Sequence, residues 1–157
     1  MDLTAKGSSI ILPHPYFNSL KSLESCYEYK GTSIYGVPTM FIELLKTQEL
    51  KKFPLKSLKN GIIAGALCPE SLLKRIKDIL NIENLSVAYG MTETSPVSFM
   101  TRKEDSIKIK TETVGSILPH LEAKIVNSDG EVVDINNEGE FIVKGYSVMK
   151  GYYNKRR

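Results

Sequence analysis

Tyr89-Gly90-Met91-Thr92-Glu93 is the densest concentration of chemistry in the chain. Glu93 offers a hard carboxylate oxygen of the kind magnesium takes. Thr92 adds a hydroxyl, and Gly90 lets the backbone come close to a ligand. Tyr89 and Met91 are suited to pack against a flat ring. Together they make a corner for a nucleotide phosphate and its metal. The same residues also make an ordinary strand-ending turn, with Thr92 or Thr94 as the cap and Glu93 in water. A second segment, Gly65-Ala66-Leu67-Cys68-Pro69, is small enough for its backbone to flank a planar base. By itself it reads as a plain strand-to-helix connection.

Other chemistries are poorly served. No GxxxxGK[ST] or GxGxxG occurs, so the usual phosphate-cradling glycine loops are absent. Cys26 and Cys68 lie far apart, make no CxxC pair, and read as reduced thiols. His14 and His120 are isolated, which leaves no clustered zinc ligands and no nucleophile–His–acid pattern. Gly139, Gly145 and Gly151 fall six apart, a spacing that suits bends in a twisted β region.

The elements that position these residues follow from apolar spacing. Ser9-Ile10-Ile11-Leu12 reads as a short buried strand before Pro13. Phe17, Leu20, Leu23 and Tyr27 predict a helix over Phe17 to Tyr29, closed by Gly31. Thr32 to Tyr35 reads as a strand, and Pro38 opens a helix running from Thr39 to about Leu50. Lys51 to Asn60 is a loop and Gly61 to Gly65 a strand. Pro69 starts the clearest helix, with Leu72, Leu73, Ile76, Ile79 and Leu80 in one stripe. Leu85 to Tyr89 is the next strand. Alternating strand and helix predict a parallel, doubly wound sheet, whose ligands sit beyond the carboxyl ends of the strands. From about residue 113 the pattern becomes short strands at Leu121 to Val126, Glu131 to Val133 and Glu140 to Lys144, with a turn at Ser128-Asp129-Gly130.

Composition sets the outer limits. The 157 residues are 41% hydrophobic and 25% charged, which excludes a disordered tail or a collagen-like repeat. A net charge of +3 gives no footprint for nucleic acid. No run approaches the roughly 18 apolar residues of a membrane span. Residues 1–9 lack the apolar centre of a signal peptide and the arginine richness of a transit peptide. The closing Lys155-Arg156-Arg157 reads as a solvated end.

Several segments in this order resemble the adenylate-forming enzymes: acyl-CoA synthetases, luciferases and peptide-synthetase adenylation domains. They are Tyr89-Gly90-Met91-Thr92-Glu93, then Val114-Gly115-Ser116 with Leu118-Pro119, then the stretch from Gly139-Glu140-Phe141 to Gly151-Tyr152-Tyr153. The resemblance runs from about Ile10 to Tyr153. Within the superfamily the sequence is similar to the medium-chain fatty acid CoA ligases. That likeness rests on Gly36-Val37-Pro38-Thr39-Met40-Phe41, on the residues from Val87 to Phe99, and on those from Gly145 to Tyr152.

The resemblance implies part of a large α/β AMP-binding domain over residues 1–112 and part of a small antiparallel β subdomain over 113–157. It implies a two-step reaction. A carboxylate attacks the α-phosphate of ATP to give an acyl-adenylate and pyrophosphate, and CoA then displaces AMP to form a thioester. By the same likeness Glu93 holds magnesium and Thr92 bonds the phosphate. Gly65, Ala66 and Leu67 line the adenine, Tyr89 stacks on it, and Gly90 and Met91 complete the nucleotide site. Met91, Pro96 and Val97 border the acyl pocket. The expected partners are ATP or AMP, CoA, a medium-chain fatty acid and the remaining segments of a longer enzyme, with no nucleic acid and no membrane span. These residues carry no address; the family likeness implies mitochondria, with any transit peptide upstream of Met1.

The family's Ser/Thr/Gly-rich phosphate loop, its ribose-binding Thr-Gly-Asp segment and its lysine-bearing C-terminal domain have no counterpart in the 157 residues. The expectation is an internal piece of a longer enzyme, inactive alone and melting broadly because its sheet lacks neighbours. The alternatives are another branch (an aromatic-acid ligase, a luciferase-like protein or an amino-acid adenylation domain) and a non-catalytic nucleotide-binding product.

Overall fold

The computed structural model describes residues 10, 11 and 13–154. The chain divides into two compact units, Met1–Ile63 with Cys68–Leu85, and Ala64–Leu67 with Ser86–Arg157.

Helices dominate the first unit. Helix α1, Ser19–Glu28, starts after Phe17 because Asn18 caps it, accepting from the Lys21 N–H at 3.0 Å. Its apolar stripe is only partly used: Leu23 is fully buried, whereas Phe17 and Tyr27 stay about half exposed. The Gly31 N–H returns to the Cys26 carbonyl at 2.8 Å, but the left-handed residue that ends the helix is Lys30, at φ 52°, and not the glycine. Strand β1 is Ser33–Gly36, and helix α2 is Pro38–Lys51 with the proline at its first turn. Phe41, Leu44 and Leu45 are buried on α2. Gln48 is buried too, and its amide is satisfied at both ends by the backbone of Phe53 at 2.8 and 3.2 Å.

Strand β2, Asn60–Ala64, runs parallel to β1 with Ile34 opposite Gly61 and Tyr35 opposite Ile62. Helix α3, Glu70–Leu80, buries Leu72, Leu73, Ile76 and Leu80, while Ile79 is half-buried at the margin. It packs on α2, which also packs on α1. Strand β3 is Asn84–Tyr89. The Asn84 N–H donates to the Lys59 carbonyl at 2.9 Å and its side-chain amide to Asn60 at 3.0 Å. The two strands therefore start side by side.

The second unit is built from short pieces. Strand β4, Phe99–Met100, pairs antiparallel with β3, Tyr89 facing Phe99. Helix α4, Ile107–Glu112, is capped by Ser106 and leads to strand β5, Ser116–Ile117, antiparallel to β4. The sheet order is β1-β2-β3-β4-β5. A separate pair follows: β6, Leu121–Val126, antiparallel to β7, Glu140–Gly145, in register from Leu121–Gly145 to Val126–Glu140. At Gly139 an added Cβ would meet the Val126 carbonyl and sit 2.8 Å from the Ile125 side chain, so the close approach excludes any larger residue.

Two expectations are corrected. Ile10 and Ile11 belong to no strand and are exposed; Ser9 and Leu12 lie outside the described residues. Three apolar residues beside a proline carry too little pattern to fix a strand. Glu131 to Val133 forms no strand but a single bridge from Val132 to Val126, because the Asn127 side chain accepts from the Asp129 and Glu131 N–H groups and commits the chain to a turn. The parallel expectation holds for β1 and β2, and β4 and β5, at two residues each too short to show alternation, add antiparallel strands to the sheet. The readings of residues 1–9 and 155–157 lie outside the described residues.

Candidate functional site

Every residue singled out for nucleotide chemistry lies in the second unit: Gly65, Ala66 and Leu67 after β2, and Tyr89 to Val97 at the end of β3. Gly65, Ala66 and Leu67 form an exposed bend, Leu67 90% exposed. Tyr89 is 41% exposed. Its ring meets Phe141 edge-on, centroids 5.8 Å apart, and Phe141 in turn meets Phe99 at 5.5 Å. The ring is thereby braced by Phe141.

The glycine at 90 has a structural cause that sequence reasoning missed. A Cβ there would run into the Pro96 carbonyl oxygen and sit 2.8 Å from the Val97 Cα. The loop through Ser95–Pro96, a cis peptide, folds back onto the turn, and the Ser98 N–H closes it on the Tyr89 carbonyl at 2.9 Å. Pro96 is exposed and Val97 half-buried.

Residues Thr92–Thr94 make a single 3₁₀ turn. Thr94, not Thr92, supplies its internal bonds: the buried Thr94 Oγ1 accepts from the Met91 N–H at 3.1 Å and donates to the Met91 carbonyl at 3.0 Å. That division leaves the Thr92 hydroxyl exposed and without a hydrogen bond among the described residues. Met91 is 48% exposed beside it.

Glu93 is tied down twice by one distant segment. Its carbonyl accepts from the Met149 N–H at 2.8 Å, and its Oε1 accepts from the Tyr152 hydroxyl at 2.6 Å. The Tyr152 hydrogen bond, and after it the backbone amide of Glu93 itself, hold the carboxyl below its ordinary value. The same bond, together with the carboxylate's charge, raises the Tyr152 phenol. No second residue among those described bonds the carboxylate. Tyr152 sits in a segment already singled out for its resemblance, but 59 positions separate it from Glu93, and no periodicity reveals that pairing.

Among the described residues no three His, Cys, Asp or Glu side chains converge. A lone half-buried carboxylate does not fit a resident protein cage. It does fit magnesium that arrives on a nucleotide, which keeps several waters and takes one or two carboxylates plus phosphates. No helix of the described residues is long and apolar enough to cross a membrane.

Residues 3–153 match the model of the AMP-binding enzyme family. The chain is 42% identical over 148 residues to the mitochondrial medium-chain acyl-CoA ligase of Rattus norvegicus, covering 94% of this chain and 24% of that protein. It is 40% identical over 148 residues to an acyl-CoA ligase of Aspergillus fumigatus, covering 94% of this chain and 25% of the relative. Among solved structures it is similar to the O-succinylbenzoate coenzyme A synthetase of Bacillus subtilis in complex with ATP and magnesium ion. There the TM-score is 0.80 at 30% identity, over 98% of this chain and 30% of that one. The chain thus spans about a quarter of the length of the relatives it matches. A mixed sheet with flanking helices, a small antiparallel pair and a match over nearly all its length lead to one conclusion: this chain belongs to the AMP-binding enzyme family.

Proposed function

We propose that these residues form the nucleotide-and-magnesium part of an AMP-forming acid–thiol ligase that joins a medium-chain fatty acid to CoA through an acyl-adenylate. The observation that carries the reading is Glu93: a carboxylate on the turn after β3, pinned by Met149 and Tyr152, beside an unpartnered Thr92 hydroxyl. The names of the relatives support the acyl-CoA ligase chemistry, the medium chain length and a mitochondrial setting.

In this reading Glu93 holds the magnesium that accompanies ATP, and bound magnesium offsets the charge gathering on the phosphate oxygens. The Thr92 hydroxyl donates to a phosphate oxygen. The partly exposed ring of Tyr89, braced by Phe141, stacks on the adenine, and the open backbone of Gly65, Ala66, Leu67 and Gly90 lies along it. Met91 borders both the nucleotide and the acyl chain, with Pro96 and Val97 on the acyl side. Residues 1–112 act as part of the AMP-binding domain and 113–157 as part of the β subdomain.

The test is AMP binding together with ATP–pyrophosphate exchange in the presence of octanoate. The 157 residues bind AMP and leave exchange at background. The family's phosphate loop and lysine-bearing domain are not among them, and each missing donor costs a factor of about 10²–10³ in turnover. Failure to bind AMP contradicts the site. Exchange well above background contradicts the division of labour between these residues and the rest of a longer enzyme. Binding with no exchange even when the remaining segments are supplied favours a non-catalytic nucleotide-binding product.

A further inference from the structure

Magnesium–nucleotide sites need a carboxylate held in one orientation, because the cation tolerates little departure from octahedral geometry. A glutamate on a short turn has three side-chain torsions and cannot hold itself still. In this chain Glu93 is held from outside the turn. The Tyr152 hydroxyl donates to Oε1 at 2.6 Å, within the range of charge-assisted O–H···O bonds. Three residues earlier the Met149 N–H donates to the Glu93 carbonyl at 2.8 Å. Backbone and side chain of one residue are thus fixed by one segment. That segment is itself anchored after β7, where the Val148 N–H bonds the Gly145 carbonyl at 3.2 Å and Ser147 is buried.

We propose that Tyr152 is a positioning residue for Glu93: by occupying Oε1 it fixes the carboxylate's rotation and leaves the other oxygen, which takes no bond from another described residue, as the one presented to a phosphate-borne divalent cation. Tyr152 touches neither metal nor phosphate in this account and acts only through Glu93. The Tyr–Glu bond is the natural choice for the task. A phenol donates one hydrogen bond and brings no charge to compete with the cation, whereas lysine or arginine would neutralise the carboxylate. The inference rests on the reading of Glu93 given above.

The experiment is a double-mutant cycle by calorimetry on the 157-residue chain. ATP affinity is measured with magnesium and again in EDTA, for the unaltered chain, Tyr152→Phe, Glu93→Gln and the double variant. The ratio of the two affinities isolates the metal's contribution. Tyr152→Phe lowers this ratio about tenfold, as expected for loss of a hydrogen bond to a charged group. Glu93→Gln lowers it to near one, and adding Tyr152→Phe to Glu93→Gln changes it no further. A structural role alone would depress both affinities together and add to Glu93→Gln. A second measurement needs no variant: with ¹³C-labelled tyrosine, adding magnesium to the ATP-loaded chain shifts the Tyr152 ring resonance. If magnesium does not strengthen ATP binding in the unaltered chain, the reading of Glu93 falls and this inference with it. If it does, and Glu93→Gln abolishes the effect while Tyr152→Phe leaves the ratio unchanged or the Tyr152 resonance stays still, only the role of Tyr152 is overturned.

Discussion

The two units of this chain are built on opposite principles. Among the described residues every buried apolar side chain except Ala88, Leu121 and Val126 belongs to the first unit. Three helices there share one interior of Phe41, Leu44, Leu45, Leu73, Ile76 and their neighbours. The second unit holds the nucleotide candidates on short strands and a one-turn helix, tied by particular hydrogen bonds: Thr94 to Met91, Tyr152 to Glu93, Thr101 to Val87. It also leaves Ile135, Tyr146 and Tyr153 largely exposed. Stability comes from area removed from water, which is indifferent to which apolar residue supplies it. Binding comes from directed groups, which are not interchangeable.

The largest effect expected from this contrast is in the first unit. Phe41→Ala removes a fully buried ring between packed helices and costs about 3–5 kcal/mol, a large share of the ~5–15 kcal/mol typical of a domain. Val126→Ala, in the second unit, costs about 1.5 kcal/mol, two methyl groups' worth of burial. Urea titrations of both variants check the ranking, and equal losses would erase the contrast.

Gly90→Ala comes next. Its added methyl meets the Pro96 carbonyl, so the loop must shift at a cost of about 1–3 kcal/mol. AMP binding falls at least tenfold while the helical circular dichroism of the first unit is kept. Unchanged AMP affinity would show that this turn and the ligand are unrelated.

A smaller effect concerns Cys68. Burial pushes its thiol from an ordinary value of 9.0 up to about 11. Between those values the folded chain keeps a proton that the unfolded chain has lost, so stability falls as pH rises through the window. Urea midpoints drop between pH 8.5 and 10.5 in the unaltered chain, and Cys68→Ala flattens that slope; an identical slope in both would contradict the assignment. The smallest effect belongs to the exposed pair of Arg75 and Glu49 at 2.7 Å. Glu49→Gln changes stability by no more than about 0.5 kcal/mol, measurable in the same titrations.

The same contrast explains what could be read in advance. Helices α2 and α3 were legible because Phe41, Leu44 and Leu45, and Leu72, Leu73 and Ile76, repeat at helical spacing, with Pro38 and Pro69 marking the starts. Strands β4 and β5 were not, since two residues each show no period and their pairing is decided by partners elsewhere in the chain. The candidate site was legible as a motif: Tyr89 to Glu93 does end a strand and does make a turn. What stayed hidden was everything long-range. Gly90 makes room for Pro96, Phe141 grips Tyr89, and Tyr152 holds Glu93 across 59 positions. Each is a contact between segments that no local pattern encodes.

The most direct test of the account replaces magnesium by Mn²⁺, whose unpaired electrons broaden nearby amide resonances. In the ¹⁵N spectrum of the chain loaded with ATP, adding Mn²⁺ broadens the amides of Thr92 and Glu93 first and most strongly, and Glu93→Gln removes that selectivity. Broadening centred on any other segment, or unaffected by Glu93→Gln, would contradict the claim that the turn after β3 is the metal–nucleotide site.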